Sequence, residues 1–239
     1  IAAQPWAKFH QAGMVGISYP GISQLYVART QPPHLSAITP LSVIDDTFRG
    51  TLYPGGILNT GFAVPWAEQR ASDAAPYGEG WEQGQVDGGD TECADNQLLR
   101  LQNPDLIAEI NDNPFYTSEL GDALAPITFV DRIEVPVFIA GAWQDEQTGG
   151  HFPNMLSAFT GSPHVYITLT NGLHTESLSP PVAVLRQAIG CVYCWPLPRW
   201  VICKVAGCTV GSPKPAEVSV RKICLIDTVS PARSNGRSR

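Results

Sequence analysis

The chain has 239 residues, 44% of them apolar and 15% charged, with a formal net charge of −7, which allows a sizeable core in one large domain or two small ones. The acidic balance argues against nucleic-acid or anionic-membrane partners, since both need a basic surface. No apolar run approaches the ~20 residues that span a bilayer, and no basic segment followed by an apolar stretch marks a signal peptide, so a cytoplasmic location is slightly preferred although the chain opens on Ile1 rather than Met.

In chain order, Gly13 to Ser18 reads as a short buried strand ending in a turn. Gly21 to Thr30 follows as a helix with Ile22, Leu25, Tyr26 and Ala28 near one face, stopped by Pro32-Pro33. Leu35 to Val43 is a second strand, in which Pro40 is expected to confine regular pairing to the first half. The segment from Asp46 to Asp131 breaks the rhythm. It is rich in glycine, proline and acid at Pro76–Asp95, with helix-like stretches at Asp95–Leu101 and Pro104–Ile110. An insertion of that length between strands is usually functional. Glu134 to Trp143 is the clearest strand, a continuous apolar run of the kind buried on both faces. His151 to Phe159 reads as a helix, and Val165 to Thr170 as a fourth strand, closed by Asn171-Gly172. Strands alternating with helices predict a mainly parallel α/β sheet.

The chemistry-bearing residues fall at strand ends. Ser18 stands in Gly13-Met-Val-Gly-Ile-Ser-Tyr-Pro-Gly21, a serine on a strand-to-helix turn with small neighbours. A serine hydroxyl becomes nucleophilic when a base takes its proton and a carboxylate orients that base. The G-x-S-x-G spacing is broken by Pro20, which is acceptable in a first helical turn, where its missing N–H has no partner to lose. Asp145 and Glu146 follow the clearest strand, and His174 follows the last, in the order serine, acid, histidine. Asp145 is preferred, because Glu146 reads as a solvated first-turn acid. Of the other histidines, His10 precedes the serine strand, His34 follows Pro-Pro, His151 starts a helix and His164 opens a strand. Catalytic groups in parallel sheets collect at the carboxyl ends of strands.

Gly16-Ile-Ser-Tyr-Pro-Gly21 resembles the nucleophile elbow of the cocaine-esterase and X-Pro dipeptidyl-peptidase-like (CocE/NonD) hydrolases. Gln4-Pro-Trp6, Pro32-Pro-His-Leu-Ser-Ala-Ile38, Tyr53-Pro-Gly-Gly56, Asn113-Pro-Phe-Tyr116, Gly141-Ala-Trp-Gln-Asp145 and Asn171-Gly-Leu-His174 are similar to blocks of the same family. The resemblance covers about residues 1–180 and places the second glycine one position later, which accounts for Pro20. It implies a partial α/β-hydrolase fold, with core segments 1–45 and 132–180 and a mainly helical cap at 46–131. It implies ester, amide or peptide hydrolysis through an acyl-serine, with Ser18 attacking, His174 shuttling the proton and Asp145 holding the imidazole. The Tyr19 backbone N–H would be one oxyanion donor. Phe62, Trp66 and Trp81 are candidate linings of the acyl pocket. No metal or organic cofactor is required. Family members carry further strands and a second oxyanion donor before the elbow, so an N-terminally truncated fragment is expected.

Composition changes sharply near residue 181. Residues 1–180 hold 6 basic and 20 acidic side chains, a net −14, whereas 181–239 hold 9 and 2, a net +7, with five of the six cysteines. Cys191-x-x-Cys194 and Cys203-x₄-Cys208 approach structural zinc spacings. The intervening Trp195-Pro-Leu-Pro-Arg-Trp200 does not suit a zinc ribbon, and a shifted reading frame accounts better for the tail, which is expected not to be native family sequence. A catalytically inactive remnant, or a non-enzymatic module with a metal- or partner-binding tail, is the alternative to a serine hydrolase.

Overall fold

The computed structural model describes residues 1–179, 201–203, 208–210 and 223–226. The remainder of the basic tail, with Cys191 and Cys194, lies outside the described residues. The chain divides into two compact units, residues 1–45 with 126–239, and residues 46–125.

The first unit is a parallel sheet. Strands β1 (Ala12–Ile17), β2 (Leu35–Leu41), β3 (Val137–Ala142) and β4 (Val165–Thr170) lie in that order. Every pair is parallel, and Ile17, Leu41, Ala140 and Thr168 share one level near their carboxyl ends. Val201–Cys203 (β5) and Cys208–Val210 (β6) form an antiparallel ribbon, while Ile223–Ile226 (β7) pairs parallel with β4. β3 is buried at every position, as a two-sided strand requires. Its side chains alternate between faces. Val137 and Ile139 join Leu25, Ile38, Phe152 and Met155 in the larger core, and Phe138 and Ala140 join Leu41 in a smaller one.

β2 corrects one expectation. Pairing with β1 runs through Pro40 to Leu41, with Gly16 opposite Pro40. Toward β3, Ile38 N–H donates to the Pro136 carbonyl at 3.1 Å and Ser42 N–H to that of Ala140 at 2.7 Å. Pro40 occupies the rung between them and has no N–H to give. Alternate residues of a parallel strand bond to opposite neighbours, so the proline interrupts one ladder and leaves the other whole.

α1 (Tyr19–Ala28) packs back onto the sheet through Gly21, Gln24, Leu25 and Ala28. It begins before the predicted Gly21, with Pro20 in its first turn. Gln24, 1% exposed, accepts from Thr39 N–H at 2.9 Å and donates to the Pro20 carbonyl at 2.9 Å, tying the helix to β2. The segment expected to be a helix at 151–159 is a 3₁₀ turn, Phe152–Ala158, with Pro153 at its start. At the point where the chain leaves and rejoins this unit, Ile127 N–H donates to the Asp45 carbonyl at 2.9 Å.

The second unit is helical, with α2 (Ala63–Ala74), α3 (Trp81–Asp87), α4 (Thr91–Leu99) and α5 (Leu106–Asp112) joined by short turns. Its acidic, glycine-rich composition goes into helix ends. Asp90 and Asp105 cap α4 and α5 by accepting from Cys93 N–H and Ala108 N–H, and Gly80 and Gly89 hold left-handed backbone at φ 79° and 97°. Buried Glu82 pairs with Arg100 at 2.8 Å, and Phe48 stacks on Tyr53 with ring centroids 4.8 Å apart.

Candidate active site

Ser18 occupies the junction of β1 and α1 with φ 60° and ψ −128°, a conformation that a residue with a side chain adopts only at a cost. Two glycines permit the turn. A Cβ on Gly16 would lie 2.6 Å from Pro20 Cβ, and one on Gly21 would lie 2.7 Å from the Leu41 carbonyl oxygen. The backbone locks the bend from both sides, Ser18 N–H donating to the Leu41 carbonyl at 2.9 Å while the Ser18 carbonyl accepts from Gly21 and Ile22 N–H at 2.8 Å each.

Ser18 stands at the N-cap of α1, yet its side chain caps nothing. A capping serine accepts from the second or third helical N–H. Here the second residue is Pro20, which has none, and the third is Gly21, whose N–H already serves the Ser18 carbonyl. Pro20 thereby leaves the half-buried hydroxyl unspent at the positive end of the helix dipole. The Tyr19 N–H is the first of the helix and has no intrahelical acceptor; its side chain is exposed.

Asp145, 7% exposed, and His174, 4% exposed, are in contact, His174 Nδ1 lying 2.8 and 2.9 Å from the two carboxylate oxygens. Asp145 also accepts from Gln147 N–H at 2.9 Å, from Thr148 N–H at 2.8 Å and from the Thr148 hydroxyl at 2.6 Å. Burial raises its pKa, but the hydrogen bonds from His174, Thr148 and Gln147 outweigh it and hold the carboxyl below the ordinary value. An ionised carboxylate only accepts, so the His174 Nδ1 facing it carries a proton, which leaves Nε2 as the ring nitrogen not committed to Asp145. Among the described residues the Ser18 hydroxyl makes no hydrogen bond to His174. The other histidines, His10, His34, His151 and His164, are all exposed.

The main chain of His174 is held as firmly as its ring. Its N–H donates to Glu146 Oε2 at 2.9 Å, and its carbonyl accepts from the Ser42 hydroxyl at 2.7 Å. Glu146 is thus bonded rather than simply solvated, and the His174 amide lowers its pKa. Thr148, Ser42 and Ser177 are the residues that the sequence did not flag. An Asp bonding two and three residues on is a recognisable turn signal, whereas nothing local marks the two serines.

Phe62, Trp66 and Trp81 belong to the second unit. Phe62 and Trp66 stack at 6.5 Å between centroids at the start of α2, and Trp81 opens α3 with its indole N–H on Glu79 at 2.6 Å. No cluster of potential metal ligands occurs among the described residues.

Two crystal structures of a CocE/NonD family hydrolase from Staphylococcus aureus superpose with TM-scores of 0.55 and 0.54 at 20% and 23% identity, covering 79% of this chain. An aminopeptidase from a marine-sediment Thaumarchaeota archaeon gives 0.50 at 16% identity over 70% of the chain. In each case this chain spans 29% of the other's length. These likenesses are of fold, and the fold is that of α/β-hydrolases. No curated protein sequence matches. The profile of the X-Pro dipeptidyl-peptidase family S15 matches residues 1–176, and with the elbow at Ser18 and the parallel sheet around it, the chain belongs to that family.

Proposed function

We propose that the protein is a serine hydrolase of acyl esters, amides or peptides, acting through an acyl-serine intermediate. The observation that carries this reading is the Asp145–His174 contact at the same strand ends as Ser18, whose hydroxyl the elbow leaves uncommitted. Ser18 Oγ attacks the acyl carbonyl as Nε2 of His174 takes its proton. The Tyr19 N–H stabilises the developing oxyanion. Collapse expels the alcohol or amine with the proton from His174, and water, deprotonated by the same nitrogen, releases the acid. Asp145 keeps the proton on Nδ1 and balances the imidazolium. A free enzyme often leaves its serine–histidine bond unmade until substrate binds, which accommodates the present Ser18 position. Residues 46–125 are assigned the choice of acyl group, with Phe62, Trp66 and Trp81 as its aromatic contacts.

The test is labelling with a fluorophosphonate, which reacts with activated serines. Ser18 should be modified in the wild-type chain, and Ser18→Ala should remain unlabelled. A folded wild-type protein that resists the probe contradicts the reading. X-Pro amides against simple esters would then separate the substrate classes.

A further inference from the structure

We infer that Ser42 is a positioning residue for the proposed base, fixing the His174 imidazole through the histidine's own carbonyl; the inference rests on the triad reading above. Ser42 follows β2 directly, at the carboxyl edge between the strands that deliver Ser18 and Asp145. Its hydroxyl, fully buried, lies 2.7 Å from the His174 carbonyl oxygen and 2.7 Å from Ser177 Oγ, itself 1% exposed. A carbonyl only accepts, so the single hydroxyl proton of Ser42 goes to His174. Ser177 must then donate to Ser42. The result is a directed chain, Ser177 O–H to Ser42 O–H to the His174 carbonyl, in which each bond polarises the next.

The backbone at Ser42 says that the hydroxyl matters. Its φ is 47°, in the left-handed region where glycine sits without strain and other residues do not. A position shaped for glycine that carries a serine, with that serine's hydroxyl buried and bonded on both sides, points to use of the hydroxyl. With Glu146 on the His174 N–H and Asp145 on Nδ1, Ser42 completes a three-point hold on one residue. The ring can then turn only about its own side-chain bonds, and Asp145 fixes those.

Ser42→Gly separates a positioning role from a merely structural one, because it deletes the hydroxyl while relieving the left-handed backbone. In the full chain, S42G should remain folded, the relieved backbone offsetting part of the lost hydrogen bonding, yet fluorophosphonate should label Ser18 roughly tenfold to a hundredfold more slowly, the range expected of a misplaced catalytic group. The His174 ring resonances in a ¹H–¹⁵N spectrum should shift or broaden. Ser177→Ala should show a smaller change of the same kind, since Ser42 can still donate. A stable S42G with wild-type labelling and unchanged His174 resonances overturns the proposal. A wild-type chain that takes no label contradicts the nucleophile reading instead; the imidazole resonances need no reactive serine and still decide for or against Ser42.

Discussion

At the scale of single residues, Asp145 sets the terms. Burial works against its charge, and three neighbours supply enough hydrogen bonds to keep it ionised. Because the folded pKa is depressed, Asp145 stabilises the fold fully above its unfolded value of ~4, and that contribution is lost as pH falls through the lower folded value. Asp145→Asn should therefore flatten the acid limb of a Tm-against-pH curve. It should also place the imidazole proton on the wrong nitrogen and slow acyl transfer by about 10⁴, the cost of the equivalent change in a well-studied triad. Glu146 is a gentler case, exposed but bonded to the His174 amide. Glu146→Gln keeps an acceptor and should retain activity, whereas Glu146→Ala should lower kcat about fivefold, as loss of ~1 kcal/mol of hydrogen bonding implies. The strand-end positions of Ser18, Asp145 and His174 were legible in the sequence because each follows an apolar run within a few positions. Ser42 and Ser177 were not, because their hydroxyls meet His174 and each other only once β2 and the last turn are packed, over sequence separations of 132 and 135.

At the scale of elements, the β1–α1 elbow is a tight joint of the sheet unit. A methyl group on Gly21 would press the Leu41 carbonyl at 2.7 Å, the same oxygen that accepts from Ser18 N–H. Gly21→Ala should destabilise the protein by about 1–3 kcal/mol, with Tm falling roughly 2–4 °C per kcal/mol for a chain of this size. It should also slow labelling, because the strand must yield where it holds the serine. The start of α1 was misread by two positions from the sequence, since Pro20 and Gly21 look like breakers until the N-cap geometry gives both a use. Pro40 was misread for a related reason. A proline forfeits a donor on one side of a strand only, and periodicity does not say which side faces which neighbour. β3 and β4 were plain, because β-branched runs buried on a sheet have few other readings.

At the scale of the whole molecule, the parallel order of β1 to β4 was legible in the alternation of strands and helices, and the helical character of residues 46–125 only in part, because α2 and α3 carry weak apolar periodicity. The helices of this unit are held instead by aspartate caps on α4 and α5, glycine turns and the Glu82–Arg100 pair. The two units make a further prediction. Replacing residues 46–125 by about four to six Gly/Ser residues should leave the hydrogen-exchange protection of β3 close to that of the full chain, since a short loop costs little closure entropy. Acyl-group preference should be lost with it, which a panel of ester and X-Pro substrates would register.

The Asp45–Ile127 hydrogen bond is what makes such a graft feasible. Two main-chain atoms 2.9 Å apart act as a socket, so whatever is threaded between them is sequence the sheet never has to measure. Inserts of very different length can plug into the same opening while β2 and β3 keep their register. That stretch can then change while the residues around Ser18 and His174 stay under their own constraints.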